Sequence, residues 1–364
     1  MDAAPGRGIV VVAASAGGLE PLRKLLAALP PDLPASVLVV LHIPANGGGA
    51  LPGILDRSGP LRAAAATDGE RLTDGRVYVA PPDRHLLVVD DHIRLSGGPR
   101  QNGLRPSADA LFRSAALAAG PRVVAVVLSG MLDDGAAASE AVERRGGSVL
   151  VQTPEECGYD SMPRAALAAT RWARSLSAGG IGAAVVELCA ARGAAERGAG
   201  AGAGAGLDAG LDADALPSDP FLEREVDLLL HSFAVGGAPP GPHSGLGCPE
   251  CGGPLYAESR RSVRRYSCRL GHGWSMQSLG EEQGASLERS MWTTILRFEE
   301  RLRLVGELVS TARREGRHED AKALRINADS LEKGLTALRD LLDELGPLRP
   351  SNTETLYEHD EGHA

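Results

Sequence analysis

Three short motifs carry the side chains that a serine hydrolase needs. A serine stands in Ala-Ser-Ala-Gly-Gly at 14–18, a histidine opens His-Ile-Pro at 42–44, and two aspartates lie in Leu-Ser-Gly-Met-Leu-Asp-Asp-Gly at 128–135. A histidine can take the proton of a serine hydroxyl near neutral pH, and a carboxylate can orient that histidine. Ser15, His42 and either Asp133 or Asp134 are therefore candidates for nucleophile, base and orienting acid.

Each motif also has a plainer interpretation when it is taken alone. Ser15 suits the N-cap of a following helix, His42 suits an ordinary loop, and the two aspartates suit an acidic helix cap. The three motifs occur in the order Ser, His, Asp, and each directly follows an apolar run typical of a strand. Their combination favours the catalytic interpretation.

The elements that must position these side chains follow an alternating pattern. From Ile9, β-branched apolar runs alternate with Ala/Leu-rich amphipathic runs, which predicts an α/β fold with a mostly parallel sheet flanked by helices. A local β-hairpin is predicted from His85 to Leu95, with Asp90 and Asp91 at its turn. Parallel strands end at one edge, so the three motifs are expected to converge there. Strands are predicted at 9–13, 37–41, 77–80, 123–128 and 148–152, and helices at 19–28, 108–119, 136–143 and 164–169.

The three motifs resemble those of the CheB methylesterase domain. Further runs resemble the family in family order: Asp-Gly-Glu at 68–70, Tyr-Val-Ala-Pro-Pro at 78–82, Arg-Pro-Ser at 105–107 and Ser-Met-Pro-Arg at 161–164. The resemblance extends from Ile9 to about Cys189. It implies a Rossmann-like fold and hydrolysis of γ-glutamyl methyl esters on chemoreceptors or related signalling proteins, with deamidation of particular glutamines and no cofactor for catalysis.

The resemblance also assigns roles to residues. The aspartate directly before the glycine, Asp134, is implied to be the triad acid, and Asp133 a bystander. Ser15 is expected to form the acyl-enzyme and His42 to move the proton. Oxyanion or substrate binding is predicted for the following residues: Ala16, Gly17, Gly18, Met131 and Arg105.

The sequence departs from the family pattern at three points. Leu104 stands where a histidine is usual, and Leu132 stands where the Gly-Met turn usually has a second glycine. The nucleophile strand begins a few residues after Met1, so no N-terminal receiver domain is expected. Because Leu132 lies beside the predicted triad acid, the identity of the ester or amide substrate stays open.

A second cluster, near residue 250, has the spacing of a metal site. Cys248 and Cys251 form C-x2-C, and Cys268 and His272 form C-x3-H, which together predict a closed, structural Cys3His zinc site in a ribbon-like module. The same segment holds five arginines interleaved with Tyr256 and Tyr266. Nucleic-acid binding is an alternative for it, and a solvated basic hairpin or a contact with an acidic protein is favoured. The arginines are Arg260, Arg261, Arg264, Arg265 and Arg269.

Composition limits the remaining possibilities. A net charge of -9 disfavours a general attraction to nucleic acid or an anionic membrane, and no apolar run reaches the roughly 20 residues of a membrane span. Few, unevenly placed cysteines indicate a reducing, cytoplasmic location. The alternatives to a methylesterase are a non-catalytic signalling scaffold and a serine hydrolase for another ester or amide.

The predicted domain organisation has six parts. After Leu287, apolar residues at helical spacing predict two antiparallel helices with a break near Gly316, which serve as a hairpin seam or contact a regulator or a second copy of the chain. The six parts are a catalytic domain at 1–192, an Ala/Gly-rich flexible linker at 193–220, a short helix and Gly/Pro linker at 221–247, the zinc-ribbon-like module at 248–280, the helical hairpin at 281–346 and a disordered tail at 347–364.

Overall fold

The computed structural model describes residues 8–42, 49–198, 218–231, 241–258 and 264–346, without the side chains of 192–198. It contains two units, Met1–Ser278 and Leu279–Ala364. The helices and strands of the first unit, in chain order, are β1 (Gly8–Ala14), α1 (Leu19–Ala27), β2 (Ala35–Leu41), α2 (Ala50–Asp56), β3 (Arg62–Ala65), β4 (Arg76–Val79), β5 (His85–Val89), β6 (His92–Ser96), α3 (Ala108–Ala119), β7 (Val123–Val127), α4 (Ala136–Arg144), β8 (Ser148–Gln152), α5 (Ser161–Ala169), β9 (Arg174–Leu176), α6 (Ala178–Gly198), α7 (Pro220–Leu230), β10 (His243–Gly247), β11 (Pro254–Glu258), β12 (Arg265–Cys268) and β13 (Gly273–Ser275).

Seven parallel strands form the central sheet, in the order β3–β4–β2–β1–β7–β8–β9. Successive residues of β1 enter opposite layers, because side chains alternate across a strand. Ile9 and Val11 pack with α3, α4, α5 and α7, whereas Val10 and Val12 pack with α1, α2 and α6. Both faces are covered, which explains why the central strands β1, β2 and β7 are apolar at nearly every position.

The two-stranded hairpin β5–β6 is separate from the central sheet. Asp90 and Asp91 connect its strands with φ angles of 47° and 59°. Two consecutive residues with positive φ make the tight turn whose twist matches a hairpin, and aspartate tolerates this conformation better than most residues. The predicted hairpin and its turn are therefore confirmed.

A four-stranded antiparallel sheet, β10–β11–β12–β13, lies later in the chain and is called the small sheet below. It holds Cys248, Cys251, Cys268 and His272 in two tight turns. The prediction of a solvated basic hairpin is wrong for Arg265, whose side chain is 3% exposed. Its guanidinium pairs with Asp109 of α3 at 2.7 Å, so its charge is compensated inside the protein. Arg264 and Arg269 are exposed, and Arg260 and Arg261 lie outside the described residues.

Two long helices form the second unit, and the first three residues of the first helix belong to the first unit. α8 (Met276–Arg314) and α9 (His318–Leu345) are joined by a turn in which Gly316 has φ of 73°. Val305, Val309 and Ala312 of α8 pack against Ala321 of α9. Near the other end, Arg339 pairs with Glu299, which makes the hairpin antiparallel. None of the helices in the described ranges is long and apolar enough to cross a membrane.

The predicted α/β fold is confirmed, with differences at the boundaries. α6 continues to Gly198, six residues beyond the predicted domain end, because residues 194–197 are good helix formers. β10 lies in the segment predicted as a Gly/Pro linker, and α8 begins inside the predicted zinc module. Most of the predicted Ala/Gly linker, 199–217, and the predicted disordered tail, 347–364, lie outside the described residues.

Candidate active site

Ser15 and His42 follow neighbouring strands at the same edge of the central sheet. Ala14, the last residue of β1, is in register with Leu41, the last residue of β2. The His42 N–H donates to the Ala14 carbonyl at 3.0 Å, which continues the pairing past the strand ends. On the other side of β1, the Ser15 N–H donates to the carbonyl of Ser129, just after β7, at 3.0 Å. The three motifs therefore meet at one edge, as the parallel topology requires.

Asp134 holds the imidazole of His42. Nε2 of His42 lies 2.9 Å from Oδ2 of Asp134, and the two side chains are 10% and 1% exposed. The carboxylate engages Nε2, so Nδ1 is the ring nitrogen that remains for a serine hydroxyl. The arrangement is that of an acid that fixes the tautomer of a base.

The N-terminus of α3 surrounds the carboxylate of Asp134 with donors. Its Oδ1 accepts from the Ser107 hydroxyl at 2.8 Å and from the Asn102 amide at 3.2 Å, and its Oδ2 accepts from the Ala108 N–H at 2.6 Å. Burial alone would raise the pKa of Asp134, but His42 and these donors outweigh it and lower that pKa. The lowered pKa favours the anionic form of Asp134 beside the His42 imidazole.

Asp133 faces away from the imidazole, toward the small sheet. Its Oδ1 accepts from the Ser275 hydroxyl at 2.8 Å. Burial, together with the charges of Asp109 and Asp134, raises its pKa to about 7, although the Ser275 hydrogen bond acts in the opposite direction. Because the folded-state pKa exceeds the ordinary value of 3.8, this carboxyl lowers the stability as the pH rises from about 4 through 7.

Two glycines allow the turn that carries Ser15 to pack against the turn that follows β7. A Cβ at Gly18 would lie 2.8 Å from the carbonyl oxygen of Ser129, and a Cβ at Gly130 would overlap the sulfur of Met162. In the part of the chain that the structure describes, three backbone N–H groups around Ser15 donate to no protein acceptor. They belong to Ala16, Gly17 and Met131. They are candidate donors to an oxyanion.

The region around Ser15 also has an exposed apolar border. The side chain of Met131 is 54% exposed and that of Tyr159 is 48% exposed. Tyr159 is tied to the site through its backbone, because its carbonyl accepts from the N–H of Gly130 at 3.0 Å. A polar, partly buried centre with an exposed apolar border suits a side chain presented by another protein.

Comparison with known proteins identifies the domain that contains this site. Residues 10–185 match the family model described as CheB methylesterase. These residues form a CheB methylesterase domain. The predicted resemblance is therefore confirmed for this part of the chain.

Curated relatives cover the same segment. The chain is 41% identical over 169 residues to "Protein-glutamate methylesterase/protein-glutamine glutaminase 2" of Methanosarcina acetivorans, covering 44% of this chain and 47% of that protein. It is 45% identical over 170 residues to "Protein-glutamate methylesterase/protein-glutamine glutaminase 3" of Anaeromyxobacter dehalogenans, covering 46% and 49%. This chain thus spans about half the length of these relatives. The crystal structure of the Thermotoga maritima CheB methylesterase catalytic domain is 31% identical, with a TM-score of 0.48, and the match covers 51% of this chain and all of that one.

Arg105, predicted to bind substrate, is engaged elsewhere in the CheB methylesterase domain. Its guanidinium donates to Oδ1 of Asp83 at 2.8 and 3.0 Å and to the carbonyls of Gly97 and Gly98 at 2.8 and 2.9 Å. The hydrogen bond from Arg105 lowers the pKa of Asp83. These contacts join the loops on either side of the β5–β6 hairpin, and the predicted substrate contact of Arg105 stays a prediction.

Leu132 occupies a glycine-type position in the CheB methylesterase domain. Its φ is 62°, in the left-handed region that disfavours side chains with a Cβ. The departure from the family therefore retains the turn geometry and stores strain. Leu132→Gly is expected to raise the free energy of unfolding by about 1 kcal/mol.

Urea denaturation of the full chain measures this effect, and Leu132→Ala is the matched control. Alanine keeps a Cβ, so it should give little or no gain. If the Ala variant were as stable as the Gly variant, side-chain packing, and not backbone strain, would account for the lower free energy of unfolding of the chain with Leu132.

The Cys-His cluster lies outside the CheB methylesterase domain. One donor atom from each of Cys248, Cys251, Cys268 and His272 lies within 4.8 Å of the others. The sulfur–sulfur distance from Cys251 to Cys268 is 3.7 Å, and Nδ1 of His272 lies 3.4 Å from Sγ of Cys268. Zn–S bonds of about 2.3 Å in a tetrahedron place sulfurs about 3.8 Å apart, so the donor set and its spacing fit zinc.

Sequence reasoning missed the residues that connect this cluster to the CheB methylesterase domain. They are Asn102, Asp109, Arg265 and Ser275, all buried. Asp109 lies in the first turn of α3, which suggests a cap, but its Oδ1 accepts from the N–H groups of Gly135 and Ala138 at 3.2 and 3.1 Å, in and beside the aspartate turn. Asp109 pairs locally with Arg113, at 2.7 Å, but its contacts with Gly135, Ala138 and Arg265 are non-local, so spacing in the sequence carried no signal for them.

Proposed function

We propose that this protein is a serine esterase that hydrolyses γ-glutamyl methyl esters on a methylated chemoreceptor or a related signalling protein. The observation that carries the proposal is the hydrogen bond from His42 to the buried Asp134, beside Ser15, at the converging strand ends of a CheB methylesterase domain. The names of the curated relatives support the choice of a glutamyl ester.

The geometry supports a two-step acyl transfer. Ser15 Oγ attacks the ester carbonyl while Nδ1 of His42 accepts its proton, and Asp134 stabilises the imidazolium. The N–H groups of Ala16, Gly17 and Met131, which donate to no protein acceptor within the described residues, are the proposed donors to the oxyanion. His42 then gives this proton to the methoxide oxygen as the ester C–O bond breaks, so that methanol leaves. Water, activated by His42, next attacks the acyl-enzyme and releases a free glutamate and Ser15.

The same machinery supports glutamine deamidation. Attack of Ser15 on a glutamine side chain forms the same acyl-enzyme, and His42 protonates the amide nitrogen, which leaves as ammonia. The names of the relatives include a glutaminase, which supports this second reaction. The substrate in both reactions is a side chain of another protein, so the exposed Met131 and Tyr159 are proposed to contact its surface.

The regions beyond the CheB methylesterase domain are proposed to have structural and partner-binding roles. The Cys3His donor set, with all positions supplied by the protein, supports a structural zinc ion. The helical hairpin exposes several large apolar side chains, which supports contact with a regulator or a second copy of the chain. They include Leu287, Trp292, Leu296, Leu304 and Ile326. A cytoplasmic location is part of this proposal.

Methanol release from methylated chemoreceptor fragments tests the function. The wild type is expected to release methanol, and Ser15→Ala is expected to reduce the rate by at least about 10⁴-fold, because the nucleophile is lost. A fluorophosphonate probe, which labels an activated serine whatever the natural substrate, separates the alternatives.

The two measurements assign each result. Labelling of Ser15 without methanol release would replace the proposed substrate with another ester or amide. If Ser15 is not labelled and no methanol is released, the result would favour a signalling scaffold.

A further inference from the structure

The turn that carries Asp134 is held by the small sheet through the residues on both sides of it. Ser275 of β13 donates to Asp133 at 2.8 Å. Arg265 of β12 donates to Asp109 at 2.7 Å, and Asp109 accepts from the N–H of Gly135. Residues at least 130 positions later in the chain therefore bear on the position of the carboxylate beside His42.

Asn102 makes the direct connection. Its side-chain nitrogen donates to Oδ1 of Asp134 at 3.2 Å, and its side-chain oxygen accepts from the Ser275 N–H and the Ser278 hydroxyl, each at 2.9 Å. Its backbone N–H donates to the Gly273 carbonyl at 2.7 Å. Because Ser275 of β13 and Ser278 of α8 both donate to the side-chain oxygen of Asn102, its side-chain nitrogen is the end that faces Asp134.

The contact with Asn102 acts on the carboxylate of Asp134, whose orientation determines its hydrogen bond to His42. A hydrogen bond to a buried carboxylate is stronger than one at the surface, and its loss changes both the position and the basicity of the acid. Ser107 and Ala108 hold Asp134 from the side of α3, and Asn102 holds it from the side of the small sheet. Two independent supports fix the carboxylate more firmly than one.

We propose that Asn102 is a positioning residue that couples the small sheet to Asp134, so that docking of the small sheet sets the reactivity of Ser15. The proposal rests on the triad of the proposed function, but not on the identity of the substrate. The small sheet thereby becomes part of the esterase, although its residues lie outside the matched domain.

The rate at which a fluorophosphonate labels Ser15 tests the coupling, because it reports activation of the serine without the natural substrate. Asn102→Ala is expected to slow labelling about 10- to 100-fold, as expected for one hydrogen bond to a buried charge. The lost donor makes Asp134 more basic, so the acid limb of the pH profile should shift upward by about half a unit to one unit.

A smaller change tests whether the effect comes from the small sheet. Ser278→Ala removes one donor to the Asn102 oxygen and should slow labelling about threefold in the wild type. Its effect should be smaller in the Asn102→Ala background, where only the contacts of the Ser278 hydroxyl with Ser275 remain to be lost, including the one with the Ser275 hydroxyl at 2.8 Å. Ser244→Ala is the matched control. Its hydroxyl donates to the Leu255 carbonyl inside the small sheet, so labelling should keep the wild-type rate.

The outcomes are distinct. The proposal would be overturned if Asn102→Ala were labelled at the wild-type rate with an unshifted pH profile. It would also be overturned if the effects of Asn102→Ala and Ser278→Ala on the labelling rate were fully additive. If Asn102→Ala fails to fold, Ser278→Ala labelling at the rate of Ser244→Ala would overturn it. Absence of methanol release from every variant, with the predicted labelling pattern intact, would reject the proposed substrate and leave the coupling in place.

Discussion

Asp134→Asn is expected to reduce kcat for ester hydrolysis by about 10⁴-fold, whereas Asp133→Asn should leave it within about threefold. Asparagine at position 134 retains the volume of the side chain but no longer stabilises the imidazolium, and its amide can force the wrong tautomer of His42. Steady-state methanol release on a methylated receptor fragment measures both rates. KM should change little, because the carboxylate does not contact the substrate.

Asp133→Asn is the matched control because it makes the same chemical change at the neighbouring buried carboxyl. Its side-chain oxygen can still accept from the Ser275 hydroxyl, so the turn should keep its position. Equal losses in the two variants would mean that the turn, and not the carboxylate at His42, carries the effect. Full activity of Asp134→Asn would exclude Asp134 from the proposed triad.

Arg265→Met is expected to destabilise the docked small sheet by about 3–5 kcal/mol. Arg265 is 3% exposed, and it pairs with Asp109 at 2.7 Å and with Glu258 at 3.7 Å. Methionine fills a similar volume but removes the cation that pairs with Glu258 and leaves Asp109 with Arg113 alone, at 2.7 Å. Buried negative charge is then compensated by one cation fewer, which is costly. Urea denaturation followed by tryptophan fluorescence measures the loss, because Trp274 of β13 is buried whereas Trp172 and Trp292 are already exposed in the folded protein.

Arg264→Met is the control, because Arg264 is the exposed neighbour of Arg265. A solvated arginine contributes little, so this variant should unfold within about 0.5 kcal/mol of the wild type. Equal urea midpoints of unfolding for Arg265→Met and Arg264→Met would contradict a stabilising role for the buried ion pairs. A large loss for Arg264→Met would indicate that the exposed surface of the small sheet has a partner within the chain.

The central sheet could be predicted because its buried strands are apolar at nearly every position. The convergence of Ser15 and His42 could be predicted because parallel strands end at one edge. Short elements were missed. β3 and β9 have four and three residues, all of them partly or fully exposed, and neither strand has a β-branched residue to mark it. α2 contains proline and glycine, which predict a loop.

The candidate site was predictable only in part, for a related reason. Ser15, His42 and Asp134 belong to local motifs, and a local motif can be read without knowing what lies beside it. Arg265 stands among four other arginines and has the pattern of a solvated basic surface. Its burial depends on carboxylates from α3 and β11, and one of them lies more than 150 residues away. Periodicity does not encode such a pairing.

The long separation between Asn102 and Ser275 has a consequence for synthesis of the protein. A ribosome completes the matched domain near residue 190, but the partners that hold Asn102 emerge after residue 273. At about 5–20 residues per second, the interval is roughly 4 to 17 seconds. On the proposed coupling, a nascent chain folds its central sheet first, and Ser15 gains its full reactivity only after the small sheet has been translated.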